Sequence, residues 1–518
     1  MKKRGFVGSM LALSMTLVIS ACSSGGTSTA GGEAVSPGER QSGGTLVIAR
    51  QSDANNLDPQ YSSQINSMAV YHHKITEGLV LMDKNSKYQP LLATEWTQLN
   101  DTTWEFKLRE GVSFHDGTPF NAEAVQKTFE RIPATPKAGM FSMIKEVKAV
   151  DEHTIQFILN YPYAPIMSLL ASAEGNILSP ASIESAGTDM VKEPVGTGPF
   201  VFESWTPGDK IVLAKNENYW GDKPNIDKVE FKTVPEDTTR LAMVETGEAQ
   251  VAEQVPSTEI ARIEASSTMK LGRYEAFSTD HIGFNTSKEP FNNPLVRQAV
   301  AYAVDKESIV SGVYNNIGKV TDSTLGTTMI GYSSNVKGYS YDLNKAKSLL
   351  AEAGYPEGFS ATLYTSDNKT RVNVAEVLQS QLKGIGINLE VKVLEFGAYI
   401  DAAAKGETEM FLSGWGNATG DADYNQFNLF HSTSKGVPGN HSFYNNPDVD
   451  QFIEDARKET DPDKRTAIYE KAIQLELNDV PILPFRNGEN LAALSKDVDG
   501  VWISPSGFVE INSASFLK

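Results

Sequence analysis

At 518 residues the chain is too long for one ordinary core, and 40% hydrophobic with 21% charged residues is the composition of a folded globular protein, not a disordered one. A formal charge of −19 argues against nucleic acid, whose binders carry basic patches, and against electrostatic adsorption to anionic lipid. The single cysteine, Cys22, leaves no internal disulfide and no cysteine-built metal cluster, so stability must come from burial.

The first segment addresses the compartment. Met1-Lys2-Lys3-Arg4 precedes an apolar run from Phe6 to Ala21, a basic start and a short apolar stretch that read as a secretory signal peptide over residues 1–21. A spanning helix needs roughly 20 apolar residues, and no later run comes closer to that length. Ile19-Ser20-Ala21 before Cys22 resembles the lipobox of bacterial lipoproteins. The resemblance implies thioether lipidation of Cys22, cleavage before it and acylation of its new amino terminus. Each buried methylene of such chains contributes about 0.8 kcal/mol to anchoring. Residues 22–43 are rich in Gly, Ser and Thr without apolar periodicity and read as a flexible tether. The expected location is extracytoplasmic, lipid-anchored to the outer face of the membrane in the Gram-positive manner, or periplasmic if the cell is Gram-negative.

From Gly44 the composition changes to that of a folded body. Thr45–Ala49 reads as a short strand, Asn56-Leu57-Asp58-Pro59 as a turn, and Ile65 to Leu81 as a helix followed by the start of a strand. In Thr102–Leu108, Trp104, Phe106 and Leu108 alternate with Glu105, Lys107 and Arg109, the pattern of a half-buried strand. After the turn His115-Asp116-Gly117-Thr118-Pro119, Asn121 caps a helix whose apolar face is Ala124, Val125, Thr128, Phe129 and Ile132. Thr154–Leu159 is a further strand. Asn293-Pro294 opens a helix with Pro in its first turn and Val296, Ala299, Val300 and Ala303 inward. Leu343–Ala353 is a helix stopped by Gly354. Ala361–Tyr364, Val372–Lys383, Asn388–Leu394 and Tyr399–Ala404 give strand, helix, strand, helix, and Met410–Ser413 is a strand ending at Gly414-Trp415-Gly416. The alternation predicts an α/β fold with largely parallel sheets, in which ligands bind beyond the carboxyl ends of strands, here after Ser413.

Several stretches taken together resemble family 5 extracellular solute-binding proteins. They are Asn56-Leu57-Asp58-Pro59, Phe114-His115-Asp116-Gly117-Thr118-Pro119-Phe120, Gly196-Thr197-Gly198-Pro199-Phe200 and Asn218-Tyr219-Trp220. Val296-Arg297-Gln298-Ala299-Val300 and Ala353-Gly354-Tyr355-Pro356 continue the series. The resemblance is collinear over nearly the whole mature chain. It implies a two-lobed periplasmic-binding-protein type II fold with an extra subdomain in the first lobe. The implied boundaries are 44–283 for lobe I with an insert at about 87–194, 284–487 for lobe II, and 488–518 returning to lobe I, with Trp502 and Phe508. It also implies a monomer that captures a small peptide and delivers it to an ABC permease pair driven by cytoplasmic ATPases. The loop Ser413 to Tyr424 is similar to the glutathione-binding branch, as is Pro438 to Tyr444. Glutathione or a similar small peptide is therefore the leading ligand, with a general oligopeptide, a peptide signal or a nickel chelate as alternatives.

Dipeptide binders of this family place an acid three residues after the tryptophan and an arginine for the ligand carboxylate; this sequence has Ala418 and Thr365 at those positions. A zwitterionic peptide needs a carboxylate for its ammonium and a cation for its carboxylate. Asp421 and Asp423 are the candidates for the first role, one of them alternatively capping the helix near Tyr424, and Arg371 is the candidate for the second. Trp415, Asn417, Thr419 and Tyr424 complete the expected ligand-binding set. No cofactor and no protein-built metal site is expected, since the seven histidines include no His-x-x-x-His pair. No catalytic residue is expected either. Ser-x-x-Lys recurs along the chain, as at Ser142–Lys145, Ser267–Lys270 and Ser432–Lys435, and Ser366-Asp367-Asn368 resembles a second motif of penicillin-recognising hydrolases. The Lys-Thr-Gly that completes that set is absent, because Arg371 follows Lys369-Thr370.

Overall fold

Two long strands organise the molecule. Met269–Phe284 and Ile482–Ser495 lie antiparallel, residues 269–275 against 489–495 and residues 279–283 against 482–487. The computed structural model describes residues 39–185, 193–437 and 439–518; the signal peptide, Cys22 and the tether as far as Gly38 lie outside the described residues.

On one side of this crossing the sheet continues through Met410–Gly416, Phe359–Ser366 and Ile387–Leu394. On the other it continues through Val251–Glu253, Thr45–Arg50, Lys228–Thr233, Lys210–Lys215 and Phe200–Thr206. The expectation of largely parallel sheets is only half right. Parallel pairing is confined to two groups, 359–366 with its neighbours 387–394 and 410–416, and 45–50 with 228–233 and 251–253. The chain leaves one lobe on the first crossing strand and returns on the second, so these two run in opposite directions and impose antiparallel pairing on the strands beside them.

The elements form where apolar periodicity and capping agree. Asn121 accepts a hydrogen bond from the Ala124 amide at the start of Ala122–Arg131, whose buried face includes Ala124, Val125, Thr128 and Phe129. That helix covers an antiparallel sheet ordered Ala93–Asn100, Thr103–Leu108, Thr154–Leu159, Ile144–Asp151. Phe157 sits edge-on to both Phe106 and Phe129, at 5.5 and 4.9 Å between centroids, in a core separate from that around the main sheet. Beyond the crossing, Ile282, Phe284, Val296, Leu378 and Leu412 share one core. Phe508 and Ile511, near the C-terminus, instead pack with Leu46 and Ile48, near the start of the described residues, and with Phe231.

Of the boundaries that differ from the sequence reading, two follow from long-range pairing. The tether expected to reach residue 43 ends sooner, because Arg40–Gln41 pairs with Phe516 and Leu517, and Arg40 Nη2 donates to Asp499 at 2.7 Å. The strand expected over Met410–Ser413 runs on to Gly416, since Ser278, Thr279 and Asp280 of the first crossing strand extend its ladder. Among the described residues no helix is long and apolar enough to cross a membrane, and no group of three or more His, Cys, Asp or Glu could hold a metal ion.

Candidate functional site

Past Gly416 the chain turns on Asn417. Its buried Oδ1 accepts from the Thr419 and Gly420 amides at 2.9 and 2.7 Å, and its Nδ2 donates to the Asp421 carbonyl at 2.7 Å and to Asn425 Oδ1 at 2.9 Å. Gly420 holds a left-handed φ of 70°, and a Cβ there would lie 2.7 Å from the Phe277 ring and 2.9 Å from Met82 Sδ. The loop is thus pressed between the first crossing strand and the strand Val80–Met82, and only glycine fits.

Asp421 and Asp423, expected to receive a ligand ammonium, are occupied by the protein itself. Asp421 caps the helix Ala422–Phe430 by accepting from the Asp423 amide, and it receives two hydrogen bonds from Arg465 at 2.7 and 2.6 Å. Asp423 lies 3.0 Å from Arg457 Nε, off the hydrogen-bond line, and accepts from the Tyr163 hydroxyl at 2.9 Å. Burial pushes the Asp423 carboxyl above the usual range against the pull of Arg457. Both carboxylates thus neutralise guanidinium groups of the protein, Arg465 buried and Arg457 half-buried.

Trp415 and Arg371 do not share a site. Alternate residues of a strand point to opposite faces, and register partners share a face. Asp280, Gly414 and Arg486 are partners on one face; Thr279, Trp415 and Asn487 are partners on the other. Arg371 lies on the Gly414 face, where a Cβ at 414 would stand 2.6 Å from its Nη2, and that Nη2 is 3.6 Å from Asp280. Asp280 also pairs with Arg486. Trp415 packs on the other side, its ring 5.8 Å from that of Tyr424 and against Gly439, beside the core of Leu429, Phe430 and Tyr444. Its Nε1 is buried without a partner among the described residues.

Thr419 is the one residue of the expected set that lines the large cavity. This space of about 1030 Å³ is bounded by Ala418 and Thr419 from the loop, by Phe277 and Met82, and by Trp502 and Phe508 from the C-terminal segment. Charged groups that the sequence reading missed also line it, among them Arg109, Glu510 and Glu77. Arg109 lies 4.4 Å over the Trp220 ring and donates through Nε to the Leu91 carbonyl; its terminal nitrogens have no hydrogen bond among the described residues. Glu510 is held only loosely, 3.9 Å from Lys74 Nζ, and burial raises its carboxyl above the ordinary range. Glu77 accepts from the Tyr219 hydroxyl and Thr197 at 2.7 Å each and from Trp220 Nε1 at 3.0 Å, while burial pushes it up to about 7. Arg109 and Glu510 sit on a strand end and in a two-residue strand, where nothing in the local sequence distinguishes them from surface charges.

Residues 87–437 match the family described as bacterial extracellular solute-binding proteins, family 5. The chain belongs to that family. It is 34% identical over 478 residues to the glutathione-binding protein GsiB of Shigella dysenteriae, covering 89% of this chain and 93% of that protein. Among solved structures, the periplasmic binding protein DppA of Helicobacter pylori in complex with the peptide STSA is 31% identical, with a TM-score of 0.76 over 92% of this chain and 99% of that one. HbpA2 of Haemophilus parasuis is 27% identical, with a TM-score of 0.84 over 92% of this chain and 100% of that one. This family 5 protein is therefore an extracytoplasmic solute-binding component of an ABC importer, and its relatives are binding proteins.

Proposed function

We propose that this protein is the lipid-anchored, monomeric capture component of an importer for a short peptide, glutathione or a peptide of similar size. The cavity carries the reading. Among its lining charges it offers Arg109, a guanidinium with unspent donors, and Glu510, a loosely paired carboxylate, within a single aromatic-walled space. A peptide zwitterion presents the complementary pair, a carboxylate for Arg109 and an ammonium for Glu510. The 34% identity to a protein named as glutathione-binding supports the ligand class.

In this reading Thr419 touches ligand from the loop. Asn417, Asp421 and Asp423 shape that loop, Trp415 and Tyr424 brace it, and Arg371 stands outside the contact set. The lobes are residues 44–283 with 488–518 and residues 284–487. Cys22 carries the anchor, a permease pair driven by cytoplasmic ATPases receives the ligand, and a hinge between the crossing strands shifts the open–closed population.

A second ligand reading is favoured by size. Pockets for small ligands span about 300–1,000 Å³, so a cavity of about 1030 Å³ also suits a longer oligopeptide. Native mass spectrometry of the protein purified without denaturant tests both. A non-covalent adduct of glutathione mass supports the first reading and a ladder of peptide masses supports the second. A single adduct that is not a peptide contradicts both. The same spectrum of membrane-extracted protein tests the anchor through acyl mass at the N-terminus.

A further inference from the structure

The two carboxylates of the ligand loop are each reached by a hydroxyl from the other side of the molecule. Tyr163 donates to Asp423 at 2.9 Å and Ser168 donates to Asp421 at 3.2 Å. Both donors belong to the segment that follows the four-stranded sheet, outside the crossing strands. Asp421, Asp423 and their partners Arg465 and Arg457 all lie between those strands. The same segment donates a backbone hydrogen bond, Ala164 amide to Arg457 carbonyl, at 2.7 Å. Tyr163 also lies under the Arg457 guanidinium at 5.1 Å, and Ser168 is linked to the Tyr88 hydroxyl. Tyr163, Ser168, Asp421, Asp423 and Arg465 are almost wholly buried.

We infer that Tyr163 and Ser168 are positioning residues for ligand capture. They clamp the ligand loop to the opposite lobe, so that the loop tip Ala418–Thr419 is held at the cavity. From that side the loop is otherwise held by Met82 and Phe277, which pack at Gly420, and by the Asn417 amide donating to the Phe277 carbonyl at 2.7 Å, while Ile330 pairs with Asp421 from its own lobe. Each hydroxyl meets a carboxylate already neutralised by an arginine. The clamp therefore forms and breaks without exposing an uncompensated charge, a requirement for an interface that must open and close. The rungs connect the two lobes, so ligand held between the lobes and the clamp favour the same closed state. This inference rests on the cavity being the ligand site for its binding arm, but not for its structural arm.

The test uses Tyr163→Phe, which keeps the ring under Arg457, and Ser168→Ala, singly and together. In ligand-free protein, amide hydrogen exchange over residues 417–426 is expected to speed about tenfold per lost hydroxyl, as follows from the strength of hydrogen bonds to charged groups. Exchange in the helices bearing Arg457 and Arg465 is expected to be unchanged. Stopped-flow release of reduced glutathione is expected to accelerate by a similar factor with the association rate little altered. If loop exchange stays at the wild-type rate in the double variant, the inference is overturned. If exchange rises but release does not, the hydroxyls are structural only and the positioning role is overturned. If wild-type protein binds no glutathione while loop exchange rises as expected, the ligand assignment falls and the clamp stands, with release then read on the peptides that co-purify.

Discussion

Arg465 donates both ends of its guanidinium to Asp421, at 2.7 and 2.6 Å, in a site where both side chains are almost wholly buried. The pair ties the helix Pro462–Asp479 to the N-cap of the helix that follows the ligand loop. The burial of Arg465 itself and the electrostatic pull of the Asp421 carboxylate act oppositely on the guanidinium, and the net effect holds it well above its ordinary range. Asp421 is therefore part of the frame on which the loop is built.

Asp421→Ala should act on stability before it acts on ligand. It leaves Arg465 as an uncompensated buried charge, a change that costs about 3–5 kcal/mol. Urea unfolding monitored by tryptophan fluorescence should show a lowered midpoint. An unchanged midpoint together with lost binding would return Asp421 to the role of ligand contact.

Arg371→Gln should leave ligand affinity within about twofold, because Arg371 lies on the sheet face opposite Trp415 and away from the cavity, whereas a direct charged contact is worth about 1.5–3 kcal/mol. Titration of both proteins with the same peptide is the check. A loss of tenfold or more would place Arg371 in the site after all.

Within the cavity the opposite holds. Glu510→Gln and Arg109→Met should each weaken binding by roughly 10–100-fold, the value of a hydrogen bond to a charged group. Glu510→Gln should discriminate further: the loss should be large for a peptide with a free amino terminus and small for its N-acetyl form. Equal losses for both forms would remove Glu510 from the ammonium role.

The fold carries a pH dependence that one substitution should isolate. Glu476 is buried, accepts a single hydrogen bond from Gln426 at 3.3 Å, and is pushed by burial from an ordinary 4.5 to about 8. A carboxyl whose folded value is raised contributes stability fully below pH 4.5, and that contribution is lost as pH rises through 8. The loss has a limiting slope of about 1.4 kcal/mol per pH unit. Glu476→Gln does not titrate, so its stability relative to wild type should rise between pH 5 and pH 9. A difference that is flat with pH would mean that Glu476 ionises normally.

The sequence was most informative where a local rule acts alone. Asn121 and Asn293 cap the helices assigned to them, and Thr154–Leu159 has the predicted limits, because caps and two-residue alternation are encoded within a few neighbours. The class of fold was legible for the same reason. The extension of the strand through Trp415 and Gly416 was not, since it depends on pairing with residues more than a hundred positions earlier. The site was harder still. Asp421 and Asp423 look like ligand carboxylates in a glycine-rich loop, and what occupies them, Arg465 and Arg457, lies on helices 34 to 44 residues downstream. Arg109 and Glu510 escaped notice because each is one charge among many until folding brings them, 401 residues apart, to one cavity.

The most direct test of the central claim is isothermal titration of the mature protein lacking Cys22, stripped of carried-over ligand by unfolding and refolding, against reduced glutathione and the tetrapeptide STSA. Saturable binding of one ligand per chain, weakened by Glu510→Gln and Arg109→Met, is the predicted result. Absence of heat with both ligands, in protein whose unfolding remains cooperative, would contradict the peptide-capture account.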